Sequence, residues 1–221
     1  MIFWFISAVA LAAAYLLGSI PTAYLAGKLF KGIDIREHGS KSVGATNALR
    51  VLGKGPGLLV FAVDVLKGVA AIFFTRWLFM FVYGSFSVAP PATFDLATAM
   101  PWVVSLAAFA VLFGHARSIW LNFTGGKSIA TGFGVLLALS WPVALGGLAA
   151  FALALAIFRI VSLGSISAAL TSIALICAME QPLPFRLFVI AGGIYVIVRH
   201  RANIQRLFAG TEPRLGQGSR N

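Results

Sequence analysis

The chain has 221 residues, 60% of them hydrophobic and only 10% charged, with a formal net charge of +11. Soluble domains run near ~25% charged residues, so this composition excludes an ordinary soluble enzyme and predicts an all-α polytopic membrane protein, one integral membrane domain over residues 1–221. Basic residues are dispersed over short polar links rather than gathered on a folded polar module, which argues against nucleic acid as a partner.

A bilayer core ~30 Å thick takes ~20 apolar residues per helical crossing. The first apolar run, residues 2–28, has no Lys or Arg before it and is followed by Lys31. It reads as an uncleaved first helix with its N-terminus outside, not as a secretory signal. Further runs cover 56–83, 101–115, 128–159, 162–179 and 184–199. As one helix the run 128–159 would be ~48 Å long at ~1.5 Å per residue. It contains Pro142, so we divide it into two short crossings meeting near Ser140-Trp141-Pro142. Charge favours the resulting seven crossings: all basic residues but Arg76 and Arg186 then fall on the cytoplasmic side, whereas six would move the C-terminal cluster outside. The outer links, SFSVAPPATFD with Asp95 and EQPLP with Glu180, read as connections. Cys177, in the apolar stretch ALICAM, is the single cysteine and reads as a packing residue.

The polar chemistry falls on the expected cytoplasmic side, where His38, His115 and His200 all lie. Residues 32–57, GIDIREHGSKSVGATNALRVLGKGPG, are too polar to cross. Glycines there can turn backbone N–H groups toward an anion, and Ser40, Ser42, Thr46 and Asn47 add neutral donors near Lys41 and Arg50. Just before the 128–159 run stands Gly125-Gly126-Lys127-Ser128. It is not a nucleotide P-loop, because the required first glycine is Leu121 and no strand precedes it. The same physics survives: two glycines and a lysine at a helix start can hold a phosphate. Asp64 and Lys67, three apart, read as a structural ion pair. Ser162 and Ser165, at the start of the 162–179 run, either cap that helix or donate hydroxyls. The tail VRHRANIQR sets His200 and Asn203 three apart among Arg199, Arg201 and Arg206.

Three motifs carry a resemblance. GSIPTAYLAGKLFKGIDIREHGSKSVGATNALRVLGKGPG with DVLKG, then GHARSIWLNFTGGKSIATGFG, then SLGSI with RHRANIQRLFAGTE, resemble in this order the bacterial acyl-phosphate-dependent glycerol-3-phosphate acyltransferases. The resemblance implies a compact bundle of about seven helices in the bacterial inner (plasma) membrane, C-terminus and active site facing the cytoplasm. It implies a monomer without cofactor or metal that makes lysophosphatidic acid from acyl phosphate and glycerol 3-phosphate amid membrane lipids, functionally linked to the enzyme that supplies the acyl phosphate. Catalytic roles would fall to Ser40, Arg50, His115, Lys127, His200 and Asn203. Phosphate or substrate binding would involve Gly39, Thr46, Asn47, Gly125, Gly126 and Ser128, and in the last motif Ser162, Ser165, Arg206 and Glu212. The family commonly reads Gly-Ser-Gly-Asn where this chain has Gly39-Ser40-Lys41-Ser42, and Gly-Gly-Lys-Gly where it ends in Ser128. Arg117 and Ser118 stand where a more apolar, proline-containing stretch is usual. The rival reading, a transporter for a phosphate-bearing solute, requires polar groups near the bilayer midplane and access from both faces; the outer halves of the runs offer almost none.

Overall fold

The computed structural model describes residues 1–85 and 95–215. Most of the SFSVAPPATFD link, and Arg220 of the basic tail, lie outside the described residues. Two compact units, Met1–Leu139 and Ser140–Asn221, are each built of helices. The first contains α1 (Ile2–Ser19), α2 (Thr22–Lys31), α3 (Ala45–Leu52), α4 (Lys54–Ser85), α5 (Leu96–Ala116) and α6 (Ile129–Leu139), with 3-10 turns at Ile35–Glu37 and Ile119–Leu121. The second contains α7 (Trp141–Phe158), α8 (Val161–Ala178), α9 (Leu183–Arg199) and α10 (Arg201–Phe208).

Burial in the first unit is the reverse of a soluble protein's. Asp64, Lys67 and Thr75 of α4 are buried while Leu58, Leu66 and Phe73 of the same helix are exposed. That is the order lipid demands, since polar groups must be satisfied inside and apolar side chains can face hydrocarbon. Between helices in lipid there is little hydrophobic gain, so close van der Waals contact through small residues holds them together. Two reciprocal glycine pairs provide it. A Cβ on Gly18 of α1 would strike the Val111 carbonyl of α5, and one on Gly114 of α5 the Tyr15 carbonyl of α1. Gly68 of α4 and Gly134 of α6 meet the Thr131 and Val65 carbonyls in the same way.

The first apolar run departs from the single helix expected of it. Pro21 has no N–H and disfavours helical backbone at the residue before it; Ile20 is extended (φ −53°, ψ 117°), and α1 and α2 are separate helices. At the break the Ile20 carbonyl accepts from the Thr22 N–H (3.0 Å) and from Lys67 Nζ (2.5 Å). The division of the long run near Ser140 is as expected: α6 ends at Leu139 and α7 begins at Trp141, with Pro142 in its first turn where a missing N–H costs nothing.

Length modifies the crossing count. Among the described residues five spans are long and apolar enough to cross a bilayer, namely α1 with α2, α4, α5, α7 and α8, and the pair α9–α10, bent by 56°, makes a sixth when taken as one span. With 11 residues, α6 rises only about 16 Å, roughly half the ~30 Å core. The seventh crossing expected from charge is therefore no full-length helix. Cys177 also departs from expectation: it is exposed on α8, and its neighbour Ile176 is the buried one.

Candidate active site

In the first unit, the loop after α2 is shaped by its own side chains. Gly32 ends α2 in the left-handed region (φ 67°). Asp34 then accepts from the Arg36 backbone N–H (3.0 Å) and pairs with the Arg36 guanidinium (2.6 Å). The Arg36 bonds hold the Asp34 carboxyl down at about 2. The guanidinium also lies over the Tyr24 ring, 5.1 Å from its centroid.

Asn47, on α3, is 1% exposed and spends its amide on this loop. Its Oδ1 accepts the Ser40 N–H (2.8 Å), and its two Nδ2 hydrogens serve the carbonyls of Ile35 (3.2 Å), His38 (3.0 Å) and Ser42 (2.9 Å). The Ser40–Ser42 stretch is thereby fixed from below, with the Ser40 side chain exposed. Gly39 is left-handed (φ 60°), and a Cβ there would strike Asn47 Oδ1. Thr46 is half-buried beside Asn47, and Arg50, three residues on, is exposed at the end of α3.

The Gly125-Gly126-Lys127-Ser128 loop lies across the end of α5. The preceding hairpin closes through an isolated bridge between Ser118 and Thr124, with Asn122 and Phe123 left-handed. The Ser118 hydroxyl donates to the Ser19 carbonyl at 2.5 Å. Both glycines are required by contact: a Cβ on Gly125 would meet the His115 and Ala116 carbonyls, and one on Gly126 would meet His115 Nε2. The Gly126 N–H donates to the His115 carbonyl (3.1 Å), so this N–H helps close the end of α5 and does not point at an anion. The Ser128 hydroxyl likewise donates to the Leu112 carbonyl (2.9 Å). Lys127 is half-buried between them.

His115, 8% exposed, joins this loop to a buried polar chain. Its Nδ1 is 3.3 Å from Thr131 Oγ1 and 3.8 Å from Asp64 Oδ1. Asp64 Oδ1 also accepts from Lys67 Nζ (2.7 Å) and Thr22 Oγ1 (2.9 Å). The Asp64–Lys67 ion pair expected from spacing is thus formed, within a wider network. Nothing local in the sequence marks Thr22 and Thr131 as partners; the usable signal is the rule that an intramembrane carboxylate needs a partner.

The two polar loops of this unit meet. A cavity of about 380 Å³ is lined by Arg36, Lys41 and Val43 from the first loop and by Thr124 and Gly125 from the second. Lys41 reaches it from left-handed backbone (φ 56°), and Ser128 has the same conformation (φ 59°). These are two of the positions where the sequence departs from the resembling family, and at both the usual residue is glycine. At both the backbone lies in the left-handed region that favours glycine.

In the second unit the last motif forms a cluster around one carboxylate. Glu212 accepts from the Ser162 hydroxyl (2.6 Å), Asn203 Nδ2 (2.6 Å) and Arg206 Nε (2.7 Å). Burial pushes this carboxyl up, but the three hydrogen bonds outweigh it and hold it below the usual glutamate range. Neither serine caps α8: Ser162 serves Glu212, and Ser165 bonds back to the Val161 carbonyl (3.0 Å). His200 is 2% exposed at the α9–α10 bend. Its Nδ1–H donates to the Val196 carbonyl (2.8 Å), since a carbonyl can only accept.

A family model described as glycerol-3-phosphate acyltransferase matches residues 8–210. The chain belongs to the glycerol-3-phosphate acyltransferase family. It is 65% identical to glycerol-3-phosphate acyltransferase 2 of Rhizobium johnstonii over 217 residues, 98% of this chain and 99% of that one. It is 54% identical to the glycerol-3-phosphate acyltransferase of Acaryochloris marina, over 98% of this chain and 96% of that one. Among solved structures it is similar to PlsY (YgiH), an integral membrane glycerol 3-phosphate acyltransferase. The glycerol 3-phosphate form matches at 35% identity with a TM-score of 0.80, covering 95% of this chain and 96% of that one. The lysophosphatidic acid form matches with a TM-score of 0.78. The membrane bundle and the three motifs are therefore those of this family.

Proposed function

We propose that this protein transfers a fatty acyl group from an acyl phosphate to the sn-1 hydroxyl of glycerol 3-phosphate, giving lysophosphatidic acid and inorganic phosphate. Family membership supports the acceptor and the product. The observation that carries the reading further is the shared cavity, in which the first polar loop and the Gly125-Gly126 loop line one space with basic side chains at its rim. A site for two phosphate-bearing substrates needs cationic and N–H donors around small residues that let phosphate approach.

In the proposed reaction the sn-1 oxygen attacks the acyl carbon and the acyl–oxygen bond to phosphate breaks. The hydroxyl proton passes to a phosphate oxygen, so the leaving group needs no separate acid. Arg50 and Lys127 supply positive charge to the phosphates, with Gly39, Thr46, Gly125 and the exposed Ser40 hydroxyl around them. Positioning and charge stabilisation then carry most of the rate. Asn47, Gly126 and Ser128 act by holding the loops, since their polar groups are bonded to neighbouring backbone. His115 is a positioning residue: Nδ1 faces Thr131 and Asp64, and the ring backs the Gly126 loop. For His200 and Asn203 a catalytic part rests on the motif, with Glu212, Ser162 and Arg206 fixing Asn203 in place and Ser165 bracing the start of α8.

We also propose the orientation that charge favours, with the N-terminus outside, the C-terminus and polar loops cytoplasmic, and the short α6 completing the seventh passage in the bacterial inner membrane. The reading is tested with palmitoyl phosphate and glycerol 3-phosphate supplied to purified protein. Product from the wild type and a loss of about 10²–10³-fold in Lys127→Ala at unchanged folding are expected; a folded wild type that forms no lysophosphatidate would overturn it.

A further inference from the structure

We infer that Lys41 is a substrate-phosphate ligand in its own right, a cation lining the cavity between the two loops at a position where the resembling family commonly has glycine. The inference rests on the acyltransfer reading above and adds a specificity-determining residue to it. Of the two basic side chains lining the cavity, Arg36 is already committed, paired with Asp34 at 2.6 Å and lying over Tyr24. Lys41 has no hydrogen-bond or ion-pair partner for its ammonium among the described residues. Of the two lining cations it is, among the described residues, the one not already paired, and it adds to the charge proposed for Arg50 and Lys127.

The backbone is prepared for this role. Asn47 holds both neighbours of Lys41, accepting from the Ser40 N–H (2.8 Å) and donating to the Ser42 carbonyl (2.9 Å). The Lys41 N–H itself donates to the His38 carbonyl (3.0 Å). A lysine set between two clamped neighbours loses only side-chain freedom on binding, which favours a directed contact over a diffuse attraction. Its left-handed φ of 56° is a conformation that glycine adopts freely and lysine does not. A side chain kept at such a position against the backbone preference points to a use for it. Across the cavity stand Gly125 and Thr124, with no carboxylate among the described lining residues to compete. The ligand chemistry is a phosphate monoester or acyl phosphate dianion, which either substrate could bring.

The test uses the full chain in detergent, with Lys41→Gln, Lys41→Gly and Lys41→Arg compared with the wild type. Loss of one charge-assisted contact predicts that Lys41→Gln and Lys41→Gly raise KM for one phosphate substrate roughly tenfold with kcat within about twofold, and that Lys41→Arg restores most of it. The substrate whose KM moves, acyl phosphate or glycerol 3-phosphate, identifies the phosphate bound. Unchanged KM for both substrates in variants that unfold no earlier than the wild type would overturn the inference. So would an equal rise in Lys54→Gln, because that would make the effect one of general charge. If the wild type shows no turnover, the acyltransfer reading fails, and calorimetric titration with inorganic phosphate still decides Lys41. Binding weakened about tenfold in Lys41→Gln supports it, and equal affinity overturns it.

Discussion

Lys41 and Ser128 show how much one residue's backbone can cost and what returns the cost. Left-handed backbone disfavours an L-residue by ~1–2 kcal/mol. Ser128 recovers about 1 kcal/mol through its hydroxyl bond to Leu112, so Ser128→Gly should shift stability by no more than about 1 kcal/mol. Thermal unfolding in detergent would check this, and a large loss would mean the hydroxyl does more than hold the loop. Asn47→Ala removes the donors and acceptor serving four backbone groups; about 2–4 kcal/mol of destabilisation is expected, with activity falling as the loop loosens. The same melting experiment reads it. At this scale the sequence was informative about residue type and less so about role. Asn47 and Gly126 read as phosphate donors from residue type and position, and Ser128 from the resemblance, yet their polar groups hold backbone. An amide's partners depend on how the loop folds back over it, which residue type alone does not record.

Helix breaks and helix contacts govern the next scale. The break at Ser140 was legible because Pro142 sits inside a run too long for one crossing. The one at Pro21 was not, since the run containing it had an acceptable length for a single helix. The glycine pairs Gly18–Gly114 and Gly68–Gly134 were equally hidden, because a contact partner far along the chain leaves no local signal. Gly134→Leu should drive α6 off α4 and abolish a monodisperse folded peak in size-exclusion chromatography, whereas Gly84→Leu, where a Cβ meets nothing, should be tolerated. The tail cluster predicts a pH dependence. The folded Glu212 carboxyl lies below its ordinary 4.5, so its contribution to docking residues 209–215 is complete above that value and is lost as pH falls through the lower folded one. Limited proteolysis should find the tail protected at pH 7 and opened in acid. Glu212→Gln, lacking the Arg206 ion pair, should weaken protection at neutral pH.

Over the whole molecule, a net charge of +11 on a chain that is 60% hydrophobic is an orientation signal before it is a catalytic one. With Cys177→Ser as background, a cysteine at Ile2→Cys should react with a membrane-impermeant maleimide added outside intact cells. One at Gln205→Cys should react only after permeabilisation; the reverse pattern would refute the proposed orientation. The membrane class was readable from the sequence because lipid imposes length and polarity on every crossing, and the three motifs were readable through their resemblance to the family. The crossing count was less secure, since α6 has the composition of a span without its length. The central claim is chemical, and purified full-length protein given palmitoyl phosphate and glycerol 3-phosphate tests it most directly. The account predicts lysophosphatidate and inorganic phosphate released in equal amounts, with both lost in Lys127→Ala. A folded protein that makes neither, or that makes lysophosphatidate only from a thioester donor, would contradict it.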